Sequence, residues 1–473
     1  MRLAVLACLI GLQLTAAAQQ KWNLRSIIDH AMYNNLNVRI TDLQSKNAEL
    51  NYKQSRLSQY PNANFSASSS LNSGSNQDPT SFSRITESYL SAGLQLQTSA
   101  DIFNFYSKRN TIAANGWEVQ AARANTDKVK NDIALSAANA YLQILLALEQ
   151  KKIAEVQLKQ SQDQLIIVRK QVRAGALPEL NASQLEAQVA MDSSNVIAAA
   201  GNISQNVLNL KALMNIDANS FFEIETPPVD QIPVEAIADL QPETVYQLAL
   251  ANQPLQRYNE LKLKAAEKNK EAARGAMYPT LGAFGSLGSG YNNKNKKITG
   301  YTISGTQRIG TVNVSGTNYD VVAPDGSFNY ENISFPKQLS DNFRQSIGLS
   351  LSVPIFNGGS LKTNYERSKV SIRSWELQKE ADNQKLKQDI YAAYNAAIVA
   401  LEKYNAARKA VETNEKAYGF AQKRFNVGML GTFELLTQQN NLLRSKLEYA
   451  LNRYDYVFKM KVLEFYKGQG LKL

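Results

Sequence analysis

The chain contains two copies of one segment, and this duplication constrains its fold more than any other feature. Gly175-Ala-Leu-Pro-Glu-Leu180 matches Gly428-Met-Leu-Gly-Thr-Phe433 at a spacing of 253 residues. The same spacing joins Ile102 to Ile355, so one register holds over this whole stretch without a gap. A repeat of this kind encodes one supersecondary unit twice. We therefore expect the same elements, in the same order, in each half.

Each copy includes a long stretch without proline. Residues 106–174 and 360–427 each contain one glycine and no proline. Apolar residues such as Ile133, Ala137 and Tyr141 recur at steps of three or four, which is the spacing of one helical face. A helix of this length would extend roughly 100 Å at about 1.5 Å per residue. Glycine is favoured at helix ends, and helical sequence resumes after Gly175 and Gly428. Each repeat therefore predicts a long antiparallel helical hairpin.

At the other end of each repeat the apolar period changes to two. The predicted outward-facing apolar positions of the two clearest strands are Leu94, Leu96, Leu349, Leu351 and Val353. A weaker partner strand follows Tyr60-Pro61 in the first repeat and Tyr278-Pro279 in the second. One apolar and one polar face is typical of a transmembrane barrel wall, although a half-buried soluble sheet has the same pattern.

Four strands are too few to close a barrel, because the smallest known barrels have about eight. The strands therefore form either an open soluble sheet or part of a barrel that several chains share.

Composition argues against catalysis. The chain has one histidine and one cysteine, whereas zinc sites and histidine-dependent catalytic sites need several such groups or an available imidazole. We therefore predict no enzyme activity, no catalytic residue, no metal and no cofactor. The net charge of +11 is scattered along predicted helices, which does not favour a nucleic acid partner.

The predicted organisation is a signal peptide followed by two repeats. Residues 1–18 combine a basic start, an apolar run and a small-residue end, which is typical of a secretory signal that would remove Cys8. Repeat 1 spans 19–225, with its hairpin tip near 175–181. Repeat 2 spans 226–473, with a proline-rich linker, an inserted surface loop at 292–341 and a tip near 428–434.

These features together resemble the TolC-like outer membrane efflux protein family. The resemblance rests on the duplication, the two Tyr-Pro strand entries, the Ile355-Phe-Asn-Gly-Gly359 strand exit and the two Gly-Leu turns. It implies a mostly α protein with a membrane β-barrel. In that fold a homotrimer shares one 12-stranded barrel, with four strands from each chain, in the cell outer membrane. A long periplasmic helical tunnel continues the barrel.

The resemblance also implies a function. The chain would be the passive outer membrane exit duct of a tripartite efflux or export system, in contact with outer membrane lipid. A periplasmic membrane-fusion adaptor would open it, and an inner-membrane pump of the RND, ABC or MFS class would feed it. The cargo stays open. The alternative is a periplasmic coiled-coil adaptor or scaffold without a pore, which explains the helices but leaves the paired amphipathic strands unexplained.

Family positions carried onto this chain give three groups of candidate residues. The periplasmic tip and adaptor-docking residues are Gly175, Leu177, Pro178, Leu180, Asn181, Gly428, Leu430, Gly431 and Phe433. The pore constriction residues are Phe425, Glu434 and Thr437, and the barrel wall residues are the five apolar positions named above.

Two of these positions depart from the pattern of some relatives. Leu430 is apolar where they carry a basic residue, and Thr437 is uncharged where they carry an acid, so a basic–acidic lock is not expected here. Three copies of Glu434 around an axis would form an acidic ring that favours cations. The simpler interpretation of Glu434 is an acid near the positive end of a helix dipole.

Overall fold

A computed structural model describes residues 21–77, 82–226, 232 and 234–468. The predicted signal peptide and part of the proline-rich linker lie outside the described residues. The helices are α1 (Leu24–Asn34), α2 (Leu36–Leu57), α3 (Ser107–Arg173), α4 (Glu179–Met214), α5 (Pro242–Asn252), α6 (Pro254–Gly275), α7 (Phe335–Asp341), α8 (Ser360–Asn426) and α9 (Thr432–Tyr466). The strands are β1 (Asn62–Gln77), β2 (Arg84–Phe103), β3 (Thr280–Asn292), β4 (Lys296–Val314), β5 (Thr317–Asn332) and β6 (Arg344–Ser352).

The chain divides into two compact units, and each unit draws on both sequence repeats. The first unit consists of the described residues of 1–51, 114–267 and 370–473. The second consists of those of 52–113 and 268–369 and contains all the named strands. Equivalent segments of the two repeats are therefore found in the same unit.

The two long helices predicted from the sequence are confirmed. α3 and α8 are each 67 residues long, and each is followed by a shorter return helix, α4 or α9. Neither long helix contains proline, so no backbone donor is missing from the ladder. Each ends within two residues of a glycine in the left-handed conformation.

Apolar side chains on the inner faces of the helices form the core of the first unit. Ile133, Ala137 and Tyr141, the stripe predicted for α3, are all buried there. The Tyr141 hydroxyl donates a hydrogen bond of 2.7 Å to the carbonyl oxygen of Glu225. Burying a side chain of the size of Ile133 contributes about 1.5–3 kcal/mol, so a narrow stripe suffices when it runs along many turns.

The end of repeat 1 is tied to the beginning of the described chain. The Trp22 amide donates to the carbonyl oxygen of Glu223 at 2.9 Å, and the Glu225 amide donates to the carbonyl oxygen of Trp22 at 2.9 Å. The Trp22 ring also stacks on Phe222 and meets His30 edge-on at 5.2 Å. His30 therefore has a packing role in this part of the chain.

The second unit contains a four-stranded antiparallel sheet in the order β1-β2-β3-β6. The inserted loop forms a separate two-stranded hairpin of β4 and β5. β6 ends at Ser352, so Val353 lies outside the strand that was predicted to contain it. Ser352 pairs with Thr280. Beyond this pair, Pro279 and, after Val353, Pro354 lack the amide hydrogen that would extend the ladder.

None of the described helices combines the length and the apolar character that a bilayer-spanning helix requires.

Candidate functional site

The two hairpin turns of the first unit have the same backbone geometry. Gly175 and Gly428 have φ angles of +71° and +78°. The amide of each glycine donates a hydrogen bond to the carbonyl oxygen three residues earlier. The next amides, of Ala176 and Met429, donate to the carbonyl oxygen five residues earlier, at 2.9 and 2.8 Å. This pair of bonds is the Schellman motif, which satisfies the last carbonyl groups of a helix. The duplicated sequence therefore encodes a duplicated turn.

A small apolar core supports both turns. The tip core consists of side chains from all four hairpin helices, including Val168, Leu185, Tyr418, Phe425 and Leu435. Leu177 and Leu430, at equivalent positions of the two turns, are half-buried against it. Phe425 is only 8% exposed. The side chain expected to face the pore is therefore packed between the helices of its own chain.

Other tip residues face solvent. Leu180 and Phe433, the second residues of α4 and α9, are 66% and 69% exposed. They are equivalent in the two repeats, so each turn presents one apolar side chain beside its glycine. Pro178 and Gly431 occupy the N-cap positions of these helices, and Asn181 is half-buried. The result is a surface of two matched apolar projections.

The candidate constriction residues of α9 interact with their own helix. The Glu434 carboxylate turns back against Gly431, where a Cβ atom would collide with it. An acid in this position is stabilised by the positive end of the helix dipole. The Thr437 hydroxyl donates a 2.8 Å hydrogen bond to the carbonyl oxygen of Phe433. Both residues are exposed.

A layer of buried polar side chains lies next to the tip core and joins the two hairpins. In this polar layer the Asp192 carboxylate accepts hydrogen bonds from the Ser161 hydroxyl at 2.6 Å and the Gln188 amide at 2.9 Å. The Gln439 amide of the second hairpin donates to the Ser161 hydroxyl at 3.1 Å. The Asp192 carboxylate is thus held by two donors, as a buried polar group requires.

A second link between the hairpins involves Tyr418. The Gln164 amide donates to its phenolic oxygen at 2.7 Å. Burial raises the pKa of the Tyr418 hydroxyl, so this group stays neutral at physiological pH.

The polar layer was not predicted, although the sequence contains two signals of it. Gln157, Ser161 and Gln164 follow helical spacing and are all buried, so they interrupt the apolar stripe. Ser161 and Asp192 also correspond to Asn414 and Ser445 at the spacing of the repeat, and these two are hydrogen-bonded as well. Polar residues kept at equivalent stripe positions of both repeats would have indicated a structural contact.

The four-stranded sheet of the second unit has two chemically different faces. Because side chains alternate along a strand, the observed register assigns each residue to one face. The first face is apolar, and its rows include Phe65, Leu94, Leu96, Leu287, Ile347, Leu349 and Leu351. The second face is small or polar, and its rows include Asn64, Ser66, Gln95, Gln97, Ser286, Gly288, Ser346 and Ser350. Leu349 and Leu351 are each 69% exposed.

A cavity of about 750 Å³ opens mainly on the polar face and is lined by residues such as Ser66, Gln95, Ser286 and Arg344. Both outer strands of the sheet, β1 and β6, have a hydrogen-bonded neighbour on one side only. Across the described ranges, no group of three or more His, Cys, Asp or Glu residues could hold a metal ion.

Comparison with known families gives one match that spans most of the chain. A family model described as outer membrane efflux protein matches residues 27–215 and 245–468. The two matched segments correspond closely to the two repeats and omit the linker between them.

Individual proteins give a consistent result. The chain is 22% identical to outer membrane protein TolC of Escherichia coli, covering 96% of this chain and 84% of that protein. It is 23% identical to the probable efflux pump outer membrane protein TtgC of Pseudomonas putida, covering 91% and 81%. Among solved structures, CusC has a TM-score of 0.75 at 18% identity, covering 94% and 92%. VceC of Vibrio cholerae has a TM-score of 0.72 at 16% identity, covering 95% and 97%.

The turn geometry predicts a local effect of replacing its glycine. Gly428→Ala places a Cβ atom on a left-handed residue, which is unfavourable by about 1–2 kcal/mol. We expect the Met429 amide to exchange its hydrogen about 5- to 30-fold faster, a measurement for hydrogen–deuterium exchange.

Gly419→Ala is the matched control, because Gly419 lies inside α8 with no neighbouring atom within 4 Å of its Cβ position. Alanine is a better helix former than glycine, so this variant should not speed the exchange. Equal exchange rates in both variants would show that the turn does not depend on Gly428.

Proposed function

The chain belongs to the outer membrane efflux protein family, and on this premise we propose that three copies of it form a single channel. The protein is the outer membrane exit duct of a tripartite efflux system. It would work as a passive conduit, with energy supplied by an inner-membrane pump and opening triggered by a periplasmic adaptor.

This proposal rests on the directions of the four strands and on the two open edges of the sheet. Its four strands alternate in direction, so β6 of one copy can pair antiparallel with β1 of the next. Every free edge is then used. Two copies would give eight strands, and a barrel of about eight strands has an interior that side chains fill. Three copies, with twelve strands, leave room for an aqueous passage.

The two faces of the sheet support the same arrangement. In a barrel wall the apolar face contacts lipid and the polar face lines the lumen. Exposed Leu349 and Leu351 would then contact hydrocarbon. Gln95, Ser286 and the other polar residues would meet water inside.

The two hairpin turns are the proposed docking surface for the adaptor. Leu180 and Phe433 expose apolar area at equivalent positions, and exposed apolar groups next to rigid turns are suited to protein contacts. Six such projections would surround the tip of a trimer. Glu434 and Thr437 would lie at the constriction, and Phe425 would support them from the tip core.

The polar layer suits a tip that has to open. Hydrogen bonds such as Gln439 to Ser161 contribute about 0.5–1.5 kcal/mol each, because water can replace either partner when they separate. Water cannot replace the contacts between packed apolar side chains in this way. Opening confined to this layer would therefore cost less than separating the tip core, in which apolar side chains of all four hairpin helices pack together.

The scaffold alternative is less well supported. The function of a coiled-coil adaptor without a pore does not explain a sheet with one exposed apolar face and two open edges. Relatives that cover most of the chain are described as a probable efflux pump outer membrane protein and an outer membrane protein, which favours the duct.

Charge on the two faces of β6 tests the channel proposal. Leu349→Arg places a cation on the lipid face, which is unfavourable by about 2–4 kcal/mol at mid-depth of the bilayer. We expect the amount of assembled trimer in outer membrane extracts to fall sharply. Ser350→Arg, one residue along on the polar face, is the matched control and should assemble normally. Equal assembly of both variants would contradict the assignment of the faces.

Photo-crosslinking tests the docking surface. A photoreactive amino acid at Phe433 should capture the adaptor in cells, because this side chain projects from the tip. The same group at Lys409, exposed on α8, is the control and should capture less.

In parallel, Leu180→Asp should reduce export while trimer assembly and conductance stay unchanged. Export at the wild-type level would remove Leu180 from the docking surface.

A further inference from the structure

One group of side chains in the second unit has no role in the duct described above. It lies where the strands β2 and β3 meet the helices α3 and α6. We call it the arginine–aromatic rim, and it consists of Phe103, Phe105, Tyr106, Arg109, Arg274 and Tyr278.

The rim is one continuous series of contacts. The Arg109 guanidinium lies 5.9 Å from the centre of the Tyr106 ring, and Tyr106 meets Phe103 edge-on at 5.8 Å. Phe103 contacts Phe105 at 4.9 Å, and Phe105 stacks on Tyr278 at 4.8 Å. Arg274 lies close enough to Tyr278 for the Tyr278 hydroxyl to raise the pKa of its guanidinium group. Four aromatic rings are thus flanked by two cations.

The backbone holds these rings in place at some conformational cost. Phe105 and Tyr106 have φ angles of +45° and +62°, which for bulky side chains is unfavourable by about 1–2 kcal/mol each. Gly275 lies so close to the Phe105 carbonyl oxygen that a Cβ atom would be 2.6 Å from it. The Ser107 hydroxyl donates to the carbonyl oxygen of Ala272 at 2.9 Å. Such strain persists only where the surrounding structure over-determines it.

The local charge balance leaves the two arginines available. Nearby acids already have lysine partners, since Asp101 pairs with Lys108 at 2.8 Å and Glu271 with Lys270 at 3.0 Å. Within the described chain, Arg109 and Arg274 form no ion pair with a carboxylate at 4.0 Å or less, and both are exposed.

The rim borders the apolar face of the sheet. Phe103 pairs with Leu281, and Leu281 pairs with Leu351, so the last apolar row runs directly into the rim. Tyrosine and similar amphipathic rings favour the boundary between hydrocarbon and water. Arginine in the same place faces lipid headgroups.

From this geometry we infer that the rim binds the headgroup of an anionic phospholipid in the leaflet nearest the periplasm. At the two ends of the rim, the Arg109 and Arg274 guanidinium groups would contact the negatively charged headgroup region, while the acyl chains lie along Leu281 and Leu351. The inference rests on the proposed function, because it requires the apolar face to contact the bilayer. A lipid fits better than a free anion, since the apolar row continues from the site.

Lipid titration of the purified trimer in neutral detergent tests the inference. The melting temperature is followed while phosphatidylglycerol, phosphatidylcholine or inorganic phosphate is added. A basic residue near an anionic lipid surface is worth about fivefold in affinity. Two arginines should therefore give phosphatidylglycerol roughly a 25-fold preference over phosphatidylcholine. Inorganic phosphate alone should have no effect.

Matched variants identify the residues responsible. Arg109→Gln combined with Arg274→Gln should abolish the preference. The control, Lys297→Gln combined with Arg308→Gln, removes the same charge from the β4–β5 hairpin and should keep it. If the double rim variant does not fold, each single variant should lose about fivefold.

The outcomes separate this inference from the proposed function. A wild-type trimer without lipid preference, an equal loss in both double variants, or an equal response to inorganic phosphate would each overturn the lipid site and leave the duct intact. A wild-type protein that is soluble without detergent would overturn the duct, and the lipid site with it.

Discussion

The structure depends on the unpaired backbone groups along β1 and β6. A four-stranded sheet with one apolar face cannot sit in hydrocarbon with open edges, because each unsatisfied amide or carbonyl group is costly there. The apolar face excludes water as the alternative partner. The proposed pairing between copies would resolve both constraints at once, and the alternating strand directions permit it. Oligomerisation would in this sense be part of the fold of each chain.

The duplication also determines how the helices are arranged. Each compact unit combines equivalent segments of both repeats, so the repeats lie side by side and do not fold as separate domains. The two turns share a Schellman geometry around Gly175 and Gly428, and one tip core supports both. The polar layer, with Ser161 and Asp192, joins the hairpins through bonds that water can replace. The two hairpins are thus joined by two chemically different contacts, an apolar tip core and a polar layer.

Much of this could be predicted from the sequence. Proline-free stretches and helical spacing predicted α3 and α8, and alternation predicted the strands that carry Leu94 and Leu349. The end of β6 was missed because it depends on Pro279 across the ladder, which is a pairing that one strand does not reveal. Phe425 was expected in the pore, but its burial depends on the neighbouring hairpin. The arginine–aromatic rim was also not predicted, because the contact that unites its two parts, between Phe105 and Tyr278, joins residues more than 160 positions apart in the chain.

The mass of the protein extracted from outer membranes in mild detergent, corrected for bound detergent, tests the shared barrel most directly. The chain alone has a mass of 52.4 kDa before any processing. We predict a particle that contains three chains and that aggregates when detergent is removed. A monomer or dimer that stays soluble without detergent would contradict the shared barrel and, with it, the assignment of the sheet to the membrane.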